Sequence, residues 1–242
     1  MHKTRVLNKE NRSRFGGRII FPIHGINGDV IGFGARILDD TVKGAKYLNS
    51  DSSDLYQKSK ILYGMHLAKK SIKKTDFCYV VEGYTDVMAL FQVGIKNVVS
   101  SCGTALTREQ IRLIHRFTNN IGILFDADTA GVNATLKAID EILKEGMIPK
   151  ILQLPKGEDP SSFLQKNKTE NISEYINKKT INFIDFKIQL IDKEDTASLI
   201  KITKSIMASI ALINDPISQS FHIKEVAKKL NLNELDLLKE LE

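Results

Sequence analysis

Two short acidic stretches, Glu82-Gly83-Tyr84-Thr85-Asp86 and Asp126-Ala127-Asp128-Thr129-Ala130-Gly131, each follow directly on an apolar run, Phe77 to Val81 and Ile121 to Phe125. A third, Glu158-Asp159, comes shortly after the run Lys150 to Leu154. Carboxylates gathered in a small volume repel one another unless cations share the charge, and hard oxygen donors select Mg2+ or Mn2+ over zinc. The pattern therefore points to divalent-metal and phosphate chemistry. An isolated Asp-x-Asp after a strand is more often a helix cap than a ligand pair, so Asp126 and Asp128 say little alone. Joined to Glu82 at a second strand end, they say more. Gly83 admits a close backbone approach, and Gly103-Thr104, after another apolar run, offers amide donors to a phosphate.

Such acids converge only if the chain between them alternates strand and helix. Strand-like runs at Phe77 to Val81, Asn97 to Ser101, Ile121 to Asp126 and Lys150 to Leu154 are separated by helix-like stretches at Asp86 to Val93, Arg108 to Phe117 and Val132 to Lys144. Gly94 and Gly146 stand where helices should end, and Thr107 with Gln110 forms a capping box. A βαβ series predicts a mainly parallel α/β sheet with helices on both faces. Right-handed crossovers then carry Glu82, Asp126, Asp128 and Glu158-Asp159 to one edge, where such sheets bind ligands.

The 242-residue chain has a net charge of +6, but the excess is local: residues 1 to 74 hold 15 Lys and Arg against 6 Asp and Glu. A polyanion is the natural partner of such a segment. Within it, Arg18 to Ile23 and Val30 to Leu38 read as an antiparallel hairpin closed at Asn27-Gly28. A loop-like region around Lys46 to Ser50 follows, and Ile61, Met65, Ala68 and Ile72 recur at helical spacing. Arg14, Arg18, Arg36, Lys43, Lys46, Lys58 and Lys60 lie among Phe15, Phe33, Tyr47 and Tyr56, a mixture that suits a sequence-tolerant single-strand surface. After Pro160 the pattern becomes helical, with stretches at Ile172 to Ile176, Phe183 to Ile191, Leu199 to Ile213, Ser218 to Leu230 and Glu234 to Leu241.

The expected units are therefore a basic α+β segment over 1–75, an α/β domain over 76–160 and a helical segment over 161–242. No apolar run approaches the roughly 20 residues of a membrane span, and the start is polar, so a cytoplasmic protein with no membrane partner is expected. Cys78 and Cys102 are too few and too far apart for a disulfide framework. The five scattered histidines show no ligand spacing, and no zinc is expected in this chain.

Ordered blocks of this sequence resemble the Toprim-containing catalytic core of bacterial replicative primases of the DnaG type. Glu82 to Val87, Ser101 to Ala105, Phe125 to Gly131 and Leu154 to Pro160 look like the Toprim motifs. Arg18 to Ile23, Gly32 to Arg36, Lys46 to Ser50 and Leu62 to Gly64 resemble the core upstream of it. The resemblance implies a nucleotidyltransferase, a DNA-directed RNA polymerase that makes short RNA primers from ribonucleoside triphosphates on single-stranded DNA during replication, leaving an RNA–DNA hybrid. Carried over by motif, Glu82, Asp126, Asp128 and Asp159 would hold two or more Mg2+ or Mn2+ ions, the first three being catalytic, with Asp86 nearby and Glu158 ranked below Asp159. The family often has a further acid just after Pro160, where this chain has Ser161 and Ser162. Arg14, Arg18, Arg36, Lys46, Lys58, Lys60, Gly83, Asp86, Gly103 and Thr104 would contact nucleotide or DNA. Tyr84 is read as a packing or substrate-contact residue, and no covalent nucleophile is expected. The resemblance further implies that the 1–75 segment is truncated at its N-terminus and that the 76–160 domain is the catalytic one. It also implies a monomer at replication forks in the bacterial nucleoid, with the family's zinc-binding and helicase-binding parts outside this chain. A Toprim nuclease and a non-catalytic nucleic-acid-binding module are the competing readings.

Overall fold

The computed structural model describes residues 13–39, 44–155, 157–167, 172–192 and 194–241; Lys43 and Lys156 lie outside them. Strands β1 (Arg18–His24) and β2 (Val30–Ile37) pair antiparallel, and the turn between them is closed by the Gly25 amide donating to the Asp29 carbonyl at 2.9 Å. Gly28 takes φ +101°, a conformation open to glycine at little cost. The region expected as a loop around Lys46 contains a third strand, β3 (Tyr47–Asn49), paired antiparallel with β2. Three residues are too few to show a period of two. What holds β3 is backbone pairing, reinforced by the Arg18 guanidinium donating to the carbonyls of Ala45 and Lys46.

After a 3-10 turn over Lys58–Lys60 and helix α1 (Met65–Thr75), the chain enters the main sheet. Strands β4 (Cys78–Val81), β5 (Val98–Ser100), β6 (Asn120–Ile123) and β7 (Ile148–Leu152) run parallel in the order β5-β4-β6-β7. Their residues are almost wholly apolar because both faces are covered. One face takes α2 (Tyr84–Gln92), α5 (Pro160–Lys166) and α6 (Ile172–Lys179), which pack Leu90, Phe163 and Ile176 on Val81, Leu124 and Leu152. The other takes α1, α3 (Arg108–His115) and α4 (Thr129–Lys144), which pack Ile72, Ile111 and Ile139 on Val80, Ile121 and Ile123. The capping box of Thr107 and Gln110 starts α3, and Gly94 and Gly146 follow α2 and α4 with positive φ. Helices α2 and α4 begin earlier than periodicity suggests, because Gly83 and Asp128 occupy the N-cap positions ahead of the first apolar residues.

The region after Pro160 is not wholly helical. Between α6 and α7 (Phe183–Ile188), β8 (Thr180–Asn182) adds antiparallel to β7 at the sheet edge. Helices α8 (Thr196–Ile210), α9 (Pro216–Leu230) and α10 (Glu234–Lys239) follow, and Ile206, Met207 and Ile210 of α8 join the same apolar core as α4. No helix among the described residues is long and apolar enough to cross a membrane.

Where α4, α7 and α8 meet, Lys187 is only 2% exposed. Its ammonium donates to the Ser205 carbonyl at 2.9 Å and to Ser209 Oγ at 2.6 Å, and Ser209 in turn donates to Asp140 of α4. Asp140 itself lies 3.8 Å from Nζ. Burial pulls the Lys187 pKa below that of a free lysine, while the attraction of Asp140 opposes the shift. Lys187→Ala, which leaves Ser205, Ser209 and Asp140 without their shared donor, is expected to cost about 3 kcal/mol in urea unfolding. Lys187→Met, which keeps the volume and lets half-exposed Asp140 hydrate, should cost less than half of that. Equal losses would show that the bonds of the ammonium, and not the volume the side chain fills, hold this junction.

Candidate active-site cleft

The site lies at the carboxyl edge of the parallel strands. Glu82 follows β4, and its Oε1 accepts from the backbone amide of Asp126, which follows β6, at 3.2 Å. Ser100 at the end of β5 donates to the Glu82 carbonyl at 2.6 Å. Beyond β7 the chain folds back on the Asp126 turn: the Ala127 amide donates to the Glu158 carbonyl and the Gly157 amide to the Ala127 carbonyl. These bonds couple four strand ends into one rim. Gly131 is required within it, because a Cβ there would overlap the carbonyl oxygen of Asp126.

Glu82, Gly83, Asp86, Asp126 and Asp159 line one cleft of about 670 Å³ together with Thr85, Ser161, Ser162 and Gln165. The far side of this cleft is closed by Arg36 of β2, Lys46 just before β3, Tyr47 and Asn49 of β3, and Lys58 of the 3-10 turn. Arg36 lies 5.9 Å from the Tyr47 ring centroid, and its buried Nε has no hydrogen-bond partner among the described residues. No acid among the described residues pairs with Arg36, Lys46 or Lys58. An acidic wall and a basic wall, carried by different sheets, thus enclose one volume.

Tyr84 joins the two sheets. It is 2% exposed, stacks on Phe21 at 4.9 Å, meets Tyr63 edge-on at 4.7 Å and donates to Asn49 Oδ1 at 2.6 Å. A Cβ on Gly34 would fall 2.5 Å from its ring, so the glycine in β2 is what lets the ring pass. Burial drives the Tyr84 phenol far above its ordinary pKa and holds the Cys102 thiol up at about 11. Neither is an activated nucleophile.

The acids feel one another. Partial burial, then the charges of Glu82, Asp86, Asp159 and Asp128, push Asp126 up to about 7. Burial raises Asp86 to about 6, with Asp159 and Glu82 adding to the shift and the Gly83 amide opposing it. Glu82 is raised by burial and by Asp128, and lowered by the Asp126 amide. Among the described residues no three acid, imidazole or thiol side chains close into a ready-made metal pocket. The donor set still fits a hard divalent cation: the acids are oxygen donors, coupled by like charge and lining an open cleft.

The sequence candidates separate into three groups. Glu82, Gly83, Asp86, Gly103, Asp126, Asp159, Arg36, Lys46 and Lys58 all line the cleft. Asp128 is exposed beside it and Asp159 lies within it; each uses one oxygen as a helix cap, accepting at 2.7 Å from the amides of Gly131 and Ser162. Asp86 is 6% exposed and accepts from the Gly83 amide at 2.9 Å, so it holds the start of α2. The remainder stand apart. Arg14 is ion-paired with Asp51 at 2.8 Å, Arg18 clamps the β3 approach, and Lys60 ends a 3-10 turn away from the cleft. Thr104 donates its hydroxyl to the Ser101 carbonyl. Glu158 is ion-paired with Lys166 and accepts from Ser162, which together hold its carboxyl below the usual range. Tyr47, named with the basic residues from sequence, lines the cleft, whereas Asn49, Ser161 and Gln165 were not among the sequence candidates. Uncharged side chains of this kind carry no signal until the sheets are placed together.

Comparison with known proteins agrees with this geometry. Residues 79–164 match the Toprim-like family, and residues 1–69 match the N-terminal domain of the DNA primase catalytic core. The chain is 38% identical over 231 residues to a DNA primase of Clostridium acetobutylicum, covering 94% of this chain and 38% of that one. It superposes on the zinc-binding and RNA polymerase domains of the Aquifex aeolicus primase with a TM-score of 0.85 and 32% identity, covering 98% of this chain and 59% of that one. A DnaG primase catalytic domain bound to single-stranded DNA gives a TM-score of 0.77 and 31% identity, covering 92% of this chain and 74% of that one. The chain thus spans about two fifths of the length of the curated relative.

Crowding of the carboxylates predicts a pH dependence. An acid whose folded pKa is raised keeps its proton in the native state after the unfolded chain has lost it, so stability falls as pH rises from the ordinary carboxylate range to about 7. In EDTA, Asp126→Asn should therefore melt above the parent at pH 8, with the gap closing near pH 4 and shrinking when Mg2+ is added. A variant that melts below the parent at pH 8 in EDTA would show that the acids do not strain the fold.

Proposed function

The chain belongs to the catalytic-core family of bacterial DnaG primases, and from that premise we propose that the cleft carries out metal-dependent synthesis of RNA primers from ribonucleoside triphosphates on single-stranded DNA. One observation carries the reading: the acidic and basic walls enclose a single volume, which suits a substrate that is itself a polyanion in need of cations at its reactive end. Glu82 and Asp126, with Asp128 and Asp159 contributing their uncapped oxygens, would hold Mg2+ or Mn2+. Such ions, when bound, favour the attacking 3′-oxygen and neutralise the triphosphate and its pyrophosphate leaving group.

The chain's own residues supply position and field. Arg36, Lys46 and Lys58 draw phosphates into the cleft, and the Tyr47 ring beside Arg36 offers a surface for a sugar or base. Gly83 and Gly103 let backbone approach the substrate closely, while buried Asp86 keeps α2 in place beneath them. Arg18 acts one step back by holding the strand that presents Lys46. Arg14, through its pair with Asp51, supports the same sheet, and Lys60 and Thr104 belong to the surround. We place the functional units at 1–75, 76–160 and 161–242, and the protein in the bacterial cytoplasm at replication forks, acting as a monomer. Binding of the replicative helicase would be the work of parts of the whole protein beyond these three units.

Extension of an RNA primer annealed to a DNA template, with ribonucleoside triphosphates and Mg2+ or Mn2+, tests the reading. The parent should extend the primer, and Asp126→Asn should lower the rate by about a hundredfold or more. Template cleavage in place of extension would make the protein a nuclease. Arg36→Ala with Lys46→Ala should weaken single-strand binding and lower its salt slope by about one unit for each phosphate left without its cation. An unchanged slope would remove these residues from the strand path.

A further inference from the structure

At the opposite, amino edge of the parallel sheet lies a second groove, of about 590 Å³, that the proposed reaction does not use. Its floor is aromatic. Phe77, just before β4, and Tyr79 within it point to the same face, with ring centroids 4.7 Å apart. They can lie there because the facing residue on β6 is Gly122: a Cβ at that position would come within 2.7 Å of the Phe77 ring and 3.2 Å of the Tyr79 ring. Across the floor, Lys150 of β7 holds its ammonium 5.9 Å from the Phe77 ring centroid. Asn97, 7% exposed, closes the side with its amide donating to the Phe77 carbonyl.

The charge around this floor is mostly positive. Lys150 is exposed, and the exposed lysines Lys74, Lys96 and Lys179 each adjoin a lining residue, from three further segments. No ion pair among the described residues takes up any of these four. Asp76, which also adjoins the floor, is turned toward β6, its two oxygens accepting from Thr118 and Asn120 at 2.8 and 2.9 Å. The Tyr79 hydroxyl has no hydrogen-bond partner among the described residues. Two rings to stack on, a cation over one of them, and exposed lysines on the segments that adjoin the lining match a planar base joined to phosphate. The groove is large enough for one nucleotide.

We propose that this groove is a second recognition site for a nucleoside phosphate, separate from the catalytic cleft and filled either by a free nucleotide or by one unit of a single strand. The sheet lies between the two sites, so a ligand here would bind without metal and would not share the reacting atoms.

Photocrosslinking in EDTA tests this directly, using 8-azido-ATP in one arm and a 5-iodouracil-substituted single-stranded oligonucleotide in the other. Residue-resolved mass spectrometry should find saturable crosslinks at Phe77 or Tyr79 themselves, distinct from Glu82 to Asp86 of the cleft, which lie on the same stretch of chain. Labelling by 8-azido-ATP alone would identify a free nucleotide as occupant, and labelling by the oligonucleotide alone would identify a strand. Lys150→Glu changes an exposed residue and should weaken this labelling about tenfold while leaving primer extension in Mg2+ unchanged. Lys46→Ala should leave it intact, which separates this site from the cleft. Absence of labelling there by both probes, or labelling indifferent to Lys150→Glu, would overturn the proposal.

Discussion

At the carboxyl edge of the parallel sheet the backbone fixes Glu82 and Asp126 against each other, because the amide of Asp126 donates to the Glu82 carboxylate. The Glu82 carboxylate cannot withdraw into solvent without giving up its bond to the end of β6. Asp86 and Asp159 are bound into the starts of α2 and α5 on the same cleft. The fold thus holds negative charge together at a place where water alone screens it poorly, and the raised pKa values of Asp126, Asp86 and Glu82 are the direct mark of that cost. Parallel strands, short turns and the absence of a side chain on Gly131 all serve to keep the acids close. Cations are what such an arrangement lacks.

The second sheet supplies part of the answer. Tyr84 follows the first acidic turn directly, so the helix that begins beside Glu82 also delivers the ring that docks under β2. Gly34 makes room for that ring, and Asn49 accepts its hydroxyl proton. The contact therefore couples the position of the acidic wall to that of Arg36, Lys46 and Lys58. Moving one sheet would move the basic wall away from the acids and open the cleft.

Much of this could be read from the residues. Apolar runs that end in Glu82 and Asp126 gave the strand ends, and the βαβ order gave their convergence. Local chemistry also identified the α3 capping box and the glycines that end α2 and α4. Short elements escaped: β3 and β8 have three residues each and are held by pairing partners distant in the chain, so no local pattern marks them. Charge type alone did not separate Arg36 and Lys46, which reach the cleft, from Arg14 and Arg18, which are spent on Asp51 and on backbone carbonyls. No local pattern marks Lys187, and only the packing of three helices shows it buried. Asp128 and Asp159 each spend one oxygen on a helix cap, which leaves the second oxygen of each for the ligand role proposed above.

The most direct test of the central claim is calorimetric titration of Mn2+ into the parent chain, Glu82→Gln, Asp126→Asn and Lys46→Ala at fixed low salt. The account predicts that each acid variant binds Mn2+ at least about tenfold more weakly, while Lys46→Ala, which removes a competing positive charge, binds as well as the parent or better. Mn2+ affinity unchanged in both Glu82→Gln and Asp126→Asn would contradict it.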